Sequence, residues 1–370
     1  MDKSSWSIIR WLPNEVLSEI VRLSGPRELA ILLRVAKLFN EIGFPLLYRD
    51  VHLNISHGKS VSALSFRASI DQDPARARMI KSIRILALDL ARCILLMKGC
   101  RNSNSDHFSV KAVNSILQDI NTFTTVVPAI LQLENVEVFR MTCEFHEAAF
   151  VELLEMASFP KMHTVTLAFR NLTVPPAIST FIDKHPTLRK VSLQCDTFSS
   201  NDAPPVFRHI ELLEHISAPF DYFIAAVPNA RNLTSASIDF SVYGIPEIER
   251  TFATLADSAA RDSCKTLVCT TQASYNPLMD YISALLPKIE NVTIRSGPLP
   301  RFASFDELSK LKHLKKFTHI TTDKDDDVLR KAIDRINDKL FHGLSPTLSL
   351  LKLYGATWTR TNNGWVRAQS

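Results

Sequence analysis

Leu188-Arg189-Lys190-Val191-Ser192-Leu193 fits the template Leu-x-x-Leu-x-Leu, and the template returns three times. It recurs with Leu233, Ala236 and Ile238, with Leu314, Phe317 and His319, and with Leu348, Leu351 and Leu353. Alternation of apolar and polar residues at this spacing is the signature of a strand buried on one face. Around these four, further strand-like runs lie at 83–88, 136–143, 165–169, 213–217, 267–269 and 289–294. Helical periodicity fills the intervals, at 110–131, 148–157, 177–184, 245–260, 277–286 and 326–341. Most strand-to-strand intervals are about 21–34 residues, near the 20–29 of leucine-rich repeats. The interval from 83 to 136 is about double, and the loop is expected at Asn102–Asp106.

A unit of one strand and one helix cannot hide its apolar face alone, so the units must stack. The predicted fold class is α/β: a curved leucine-rich-repeat-like solenoid over 81–358, with a parallel sheet on its concave face. The template lacks the Asn that usually closes a leucine-rich turn, so the repeats are degenerate. The competing architecture is a doubly wound sheet. Nine glycines in 370 residues disfavour the glycine-rich turns on which a nucleotide-binding sheet of that kind relies.

Ahead of the repeats, residues 12–49 read as three short helices. Pro13 suits a first helical turn, and Val16, Leu17, Ile20 and Val21 come next at helical spacing. Gly25-Pro26 ends that helix and begins one carrying Leu29, Leu32 and Leu33. A third carries Val35, Phe39 and Ile42 and is expected to stop at Gly43. About forty residues cannot build a self-sufficient core, so part of this apolar surface is expected to belong to a partner.

Leu12-Pro13, Glu15, Ile20, Leu29, Leu32 and the run Val35-x-Lys37-x-Phe39 together resemble an F-box, with Ala36 and Phe39 standing where Ser or Cys and Trp are common. The segment 45–53 is similar to the stretch immediately after the box in many fungal members. The resemblance implies an F-box over 8–50 that docks onto a Skp-type adaptor and through it onto a cullin–RING ubiquitin ligase. The residues it assigns to docking are Leu12, Pro13, Ile20, Leu29, Leu32, Val35, Lys37 and Phe39. Residues 51–80 are expected as a connecting segment and 359–370 as a tail or cap. Because an exposed repeat end needs protection, Trp358 and Trp365, which flank a turn signal, are expected to cover the last repeat.

Composition narrows the remaining classes. The chain is 46% hydrophobic and 22% charged with a net charge of +5, ordinary for a folded protein. Lys and Arg are scattered, and the densest run, Lys310–Lys316, alternates with leucines. Nucleic acid would want a broader basic footprint with aromatic platforms, so no nucleic-acid partner is expected. No stretch approaches the roughly 20 apolar residues of a membrane span, and with no long apolar run near Met1 no export is expected. The six cysteines form no disulfide framework. A cytoplasmic or nuclear location is expected, where the Asn-x-Ser/Thr triplets at Asn54, Asn171, Asn232 and Asn291 would be silent.

The search for chemistry fails at each candidate. Gly58-Lys59-Ser60 ends like a phosphate loop, but Leu53 stands where the first glycine belongs. His146-Glu147 begins like a zinc-protease helix, and Phe150 replaces the second histidine. Asp323, Asp325 and Asp327 are spaced as in a calcium loop, with Val328 where glycine is needed. No Gly-x-Ser-x-Gly or Cys-x-x-Cys occurs. His319, on a leucine step, reads as a hydrogen-bonded core histidine. No cofactor or metal is expected, and the chain is not expected to be an enzyme.

The expected function is substrate recognition for the ligase, with the repeat sheet holding the protein to be ubiquitinated. By alternation, Arg140, Lys190, Gln194, Asp239, Arg295, Lys352 and Tyr354 point out of the concave sheet, a surface suited to a polar or acidic protein. Two other classes stay open. One is a repeat scaffold with no ubiquitin role. The other is a hydrolase or transferase on an α/β sheet, which would need polar groups converging in one pocket.

Overall fold

The computed structural model describes residues 13–35, 37–55, 60–87, 110–143, 147–169, 175–195, 205–241, 243–271, 275–296, 306–321, 341, 344–353, 355–362 and 364–368. Secondary structure is α/β with a mostly parallel sheet. The chain divides into two compact units, Met1–Met162 and His163–Ser370. Among the described residues no helix is long and apolar enough to cross a membrane.

The first unit opens with helices α1 (Asn14–Leu23), α2 (Pro26–Val35) and α3 (Lys37–Leu47). It continues through β1 (Asp50–Asn54), α4 (Ser60–Gln72), a 3-10 turn at Pro74–Met79, β2 (Ser82–Ala87), α5 (Val110–Leu131), β3 (Val138–Cys143) and α6 (Glu147–Met156). Strands β1, β2 and β3 pair in parallel in that order. Residues 51–80, expected as a connector, are thus a strand–helix unit in their own right. Leu53, Ile55, Ala63, Phe66, Ile70, Ala77 and Ile80 are its buried residues.

The second unit repeats the pattern. Its strands are β4 (Thr164–Phe169), β5 (Lys190–Cys195), β6 (His215–Pro219), β7 (Ser235–Phe240), β8 (Thr266–Thr271), β9 (Asn291–Ser296), β10 (Lys316–Thr321) and β11 (Leu350–Leu353). From β5 onward each is parallel to its predecessor. Helices α7 (Pro175–Asp183), α8 (Phe220–Ala226), α9 (Ile245–Asp257), α10 (Tyr275–Leu285) and α11 (Asp306–Lys310) lie between them. Two antiparallel strands, β12 (Ala356–Thr361) and β13 (Gly364–Arg367), come after β11. Gly364, at φ +114°, supplies the positive φ of the tight turn between them. The helix expected at 326–341 lies outside the described residues except for Phe341.

The first leucine of the template does not stand in a strand. Leu188, Leu233, Leu314 and Leu348 each close a turn two residues ahead of one, with the backbone N–H donating to the carbonyl three residues back. In several units a proline takes the second turn position, where its fixed φ fits. Pro186 lies in the turn from His185 to Leu188 (3.1 Å), Pro287 in that from Leu286 to Ile289 (3.2 Å), and Pro346 in that from Ser345 to Leu348 (3.1 Å). The residue three positions ahead of a strand then reaches back to the preceding strand–helix unit. Asn135 Nδ2 donates to the Arg78 carbonyl (2.7 Å), Asn232 Nδ2 to Glu211 (3.0 Å), Ser263 Oγ to Leu233 (2.8 Å) and Thr347 Oγ1 to Leu314 (2.9 Å). A row of side-chain donors to the backbone thus stands here, shared among Asn amides and Ser and Thr hydroxyls.

One backbone carbonyl per unit sets the register. Arg189 O accepts from Glu214 N (2.8 Å) and His215 N (2.9 Å), Glu214 O from Thr234 N and Ser235 N, and Lys265 O from Glu290 N and Asn291 N. Side chains in this row pair across it, as in Arg189–Glu214 at 3.1 Å and Lys315–Glu290 at 2.6 Å. Exposed pairs of this kind contribute less than about 1 kcal/mol each, so the backbone row holds the spacing. Alternate strand residues are buried with the helices: Phe139 meets Phe159 at 5.3 Å, Phe240 meets Phe252 at 6.4 Å, and Phe252 stacks on Tyr281 at 6.5 Å.

In the three-helix segment Leu17, Val21, Leu29 and Phe39 form a small core, with Leu32, Leu33, Leu38, Ile42 and Leu47 packed on it. Helix α3 does not stop at Gly43 but runs on to Leu47. The glycine is a packing contact rather than a terminator: a Cβ there would lie 2.8 Å from Leu29 Cδ1 and 2.9 Å from Leu33 Cδ2. Gly43→Val forces the helices apart, at a cost of about 1–3 kcal/mol for overpacking. Limited proteolysis is expected to cut residues 14–47 several-fold faster in this variant; an unchanged rate would remove the close-packing account.

The three helices are fastened to the strand–helix unit next in the chain. The Arg76 guanidinium lies 5.6 Å from both the Phe44 and Tyr48 ring centres. It also donates to Ser69 Oγ (2.6 Å) and Asp73 Oδ2 (3.2 Å). Cation–π and charge-assisted contacts of this sort join α3 to α4 and the 3-10 turn.

Candidate functional site

Helix α1 carries more apolar surface than its bundle covers. Pro13 is extended, and its carbonyl accepts from Val16 N (3.0 Å) and Leu17 N (3.1 Å) to start the helix. Ser24 ends it, returning its N–H to Ile20 O and Val21 O and its hydroxyl to Ile20 O (2.7 Å). Leu17 and Val21 point inward, fully buried. Val16, Ile20 and Leu23 are 42%, 37% and 73% exposed. Spaced i, i+4 and i+7, these three form one stripe along the helix. Beside it Glu19 and Arg22 pair with each other at 2.6 Å. On α2, Ile31 is exposed as well.

Residues expected at the adaptor interface separate into three groups. Ile20, Pro13 and Lys37 are exposed, Lys37 with Glu41 at 3.8 Å. Leu29 and Phe39 are buried in the bundle's own core, with Leu32 half-buried against it, so their part is to hold the helices together. Leu12 lies outside the described residues, and of Val35 only the backbone, within α2, is described. Val16, Leu23 and Ile31 were not singled out for docking by sequence reasoning. The signal was there in the width of the apolar arc on α1, which exceeds what one neighbouring helix can cover.

On the sheet face opposite the buried one exposed side chains recur among the described residues, although Thr318 on that face is buried. In the second unit Lys190, Gln194, Asp239, Arg295 and Lys352 stand exposed on it. Register spreads them out: Lys190 neighbours His215, Lys352 neighbours Thr318, and Thr270 separates Asp239 from Arg295. Between them runs a row of small residues, Thr166, Ser192, Ser217, Ser237, Val268 and Thr293. Asp239 Oδ1 is occupied by Ser241, through N at 2.8 Å and Oγ at 2.5 Å. Burial and the neighbouring Lys190 push the His215 imidazole below its usual pKa, towards the neutral form. Tyr354 lies outside the described residues. In the first unit Arg140 is exposed in register with Arg84, and Arg84 with His52. Of these only Arg140 is legible in the sequence, because pairing across strands is not written locally.

Polar groups elsewhere do not assemble a reactive centre. Ser296 Oγ lies 2.9 Å from His319 Nε2, both buried on the helix side. At 3% and 1% exposure, neither can meet a substrate. Burial pushes the Cys264 thiol up to about 12 and Cys269 upward too, leaving protonated core thiols. An open cleft of about 510 Å³ is lined by Pro176, Ser179, Thr180, Asp183, Lys184 and Arg208 among others. Its Asp183 carboxylate is taken by the backbone N–H groups of Arg208 and His209. Among the described residues no group of three or more His, Cys, Asp or Glu could hold a metal ion. Phe150 is fully buried. Gly58, Lys59, His146 and 322–340 lie outside the described residues. No family model matches the chain, and no curated protein matches it.

Proposed function

We propose that the chain is a substrate-recognition subunit of a Skp–cullin–F-box ubiquitin ligase, its three helices an F-box and its strand–helix units a leucine-rich-repeat-like solenoid. The observation that carries this reading is the outward stripe of Val16, Ile20 and Leu23 on a helix whose inner stripe is already satisfied. Covering what remains exposed of these three side chains is worth about 2–5 kcal/mol in all, a contribution that favours docking onto an apolar groove. The F-box resemblance names the owner of that groove as a Skp-type adaptor.

The catalytic contribution is positional. A substrate held on the open sheet face has its lysines at high effective concentration near a charged ubiquitin-conjugating enzyme. Such a role requires stiffness; within the first unit, the Arg76 contacts to Phe44, Tyr48, Ser69 and Asp73 support it between the three helices and the strand–helix unit next to them. No residue of this chain has to touch the reacting thioester.

The test is equilibrium binding of the full chain to a purified Skp-type adaptor, followed by calorimetry. One-to-one binding with a micromolar or tighter Kd and a negative heat-capacity change is the expected result. A chain that melts cooperatively yet shows no binding would leave a repeat scaffold without a ligase role.

A further inference from the structure

His52, Arg84 and Arg140 stand side by side on three adjacent parallel strands. His52 is the register partner of Arg84, and Arg84 of Arg140. All three are exposed on the open face. Neighbouring strands lie about 4.8 Å apart, so two guanidinium groups rise next to each other with an imidazole beside them. Like charges directly opposite one another in a sheet are destabilising, and such a row is normally interrupted by an acid. Here it is not. Among the described residues neither Arg84 nor Arg140 makes a side-chain hydrogen bond or ion pair. The surrounding open-face positions are Asp50, Asn54, Ser82, Leu86, Val138 and Thr142. Of these only Asp50 is charged, and its register partner is Ser82.

We infer that this row is a docking site for an acidic segment of a partner protein, with carboxylate or phosphoryl oxygens seated between Arg84 and Arg140. Charge complementarity identifies the occupant. The planar fork of each guanidinium suits paired oxygens, and two forks side by side suit a group with several. An extended peptide crossing the strands turns every second side chain toward the sheet, so acidic residues at i and i+2, about 6.7 Å apart, lie over the row. Leu86 and Val138, both half-buried on this face, give the same segment an apolar margin. The inference deepens the receptor reading by naming the chemistry of its substrate, but binding to the row is measured without any adaptor. Failure of adaptor docking and failure of this site are therefore separate results.

The experiment uses the full chain and three degenerate peptide pools with random flanks. Their fixed centres are three glutamates, one phosphoserine and one serine. Affinities are measured by fluorescence polarisation at 0.15 M salt for the wild type and an Arg84→Thr/Arg140→Thr variant. At least one anionic pool is expected to bind about tenfold or more tightly than the serine pool, the worth of one charge-assisted hydrogen bond. That preference disappears in the variant. Preference for glutamate over phosphoserine, or the reverse, tells which oxygens are read and supports the site either way. The variant also removes a like-charge pair, so its Tm is expected to equal or exceed that of the wild type; a structural role for the arginines would lower it. Equal affinity for the three pools overturns the proposal, as does a preference that survives in the variant. So does a random RNA oligonucleotide that binds more tightly through the same two arginines.

Discussion

Ile20→Lys/Leu23→Lys is expected to abolish capture of the Skp-type adaptor while leaving the melting temperature of the chain within about 2 °C of the wild type. Leu23 is 73% and Ile20 37% exposed in the free protein, and neither belongs to the core of Leu17, Val21, Leu29 and Phe39, so the cost to the bundle is small. Lysine suits the new positions. Both lie towards the C-terminal end of α1, where the helix dipole favours positive charge. A lysine in place of Leu23 also stands one turn beyond Glu19, the favourable order for such a pair. In the complex the balance reverses. The area that docking would cover on these two side chains, worth about 2–3 kcal/mol together, is lost, and two ammonium groups are stranded against an apolar groove. The combined effect is a loss of roughly a hundredfold or more in affinity. Leu17→Ala is the contrasting variant: Leu17 is fully buried, so it should lose binding together with the fold of the helices. Unchanged affinity of the double lysine variant, measured by calorimetry, would rule out the α1 stripe as the docking surface.

Phe252→Ala is expected to produce the largest loss of stability of any single substitution considered, about 3–5 kcal/mol. The ring is fully buried in α9 and touches a neighbour on each side, Phe240 of β7 and Tyr281 of α10. Stacked units hold together through their own packing and through interfaces with the next unit only. A cavity at Phe252 weakens both at once in the middle of the second unit. Urea unfolding followed by far-UV circular dichroism should therefore shift its midpoint downward and broaden as the two flanks melt separately. Phe252→Leu, which keeps most of the volume, should cost about 1.5 kcal/mol or less. A single transition shifted by less than that in the alanine variant would show that the ring does not couple neighbouring units.

Elements with one buried face and clear spacing could be read directly from the residues. The strands at 164–169, 190–195 and 235–240 and the helices at 110–131 and 245–257 are of this kind, each with apolar residues at a regular interval. Three features resisted for physical reasons. Helix α4 carries exposed Val61 and Leu64 beside buried Ala63, Phe66 and Ile70, so its apolar residues do not define a single side. Gly43 has the composition of a helix end and the geometry of a helix crossing, and only the positions of Leu29 and Leu33 tell the two apart. The stretch Ala356–Arg367 alternates Thr and Arg with Trp358, which reads as a polar tail until the pairing with β11 is known. The candidate surfaces divide in the same way. Ile20 and Arg140 are legible from local periodicity, whereas Arg84 and His52 gain meaning only when strands far apart in sequence are laid side by side.

The row of shared carbonyls has a consequence for how such a chain can change over generations. It fixes where each strand begins but says nothing of how much chain is spent before the next one. Adjacent strands begin at His215 and Ser235 in one place and at Lys316 and Leu350 in another, with the same pairing in both. Insertions and deletions that fall among the helices are therefore absorbed there, and the length of the chain is free to drift. One residue gained between a turn and its strand is a different event. It would exchange the two faces of that strand, burying Lys190 or Arg84 and exposing Leu193 or Ile85. Length in this protein is thus tolerant on one side and intolerant to a single residue on the other.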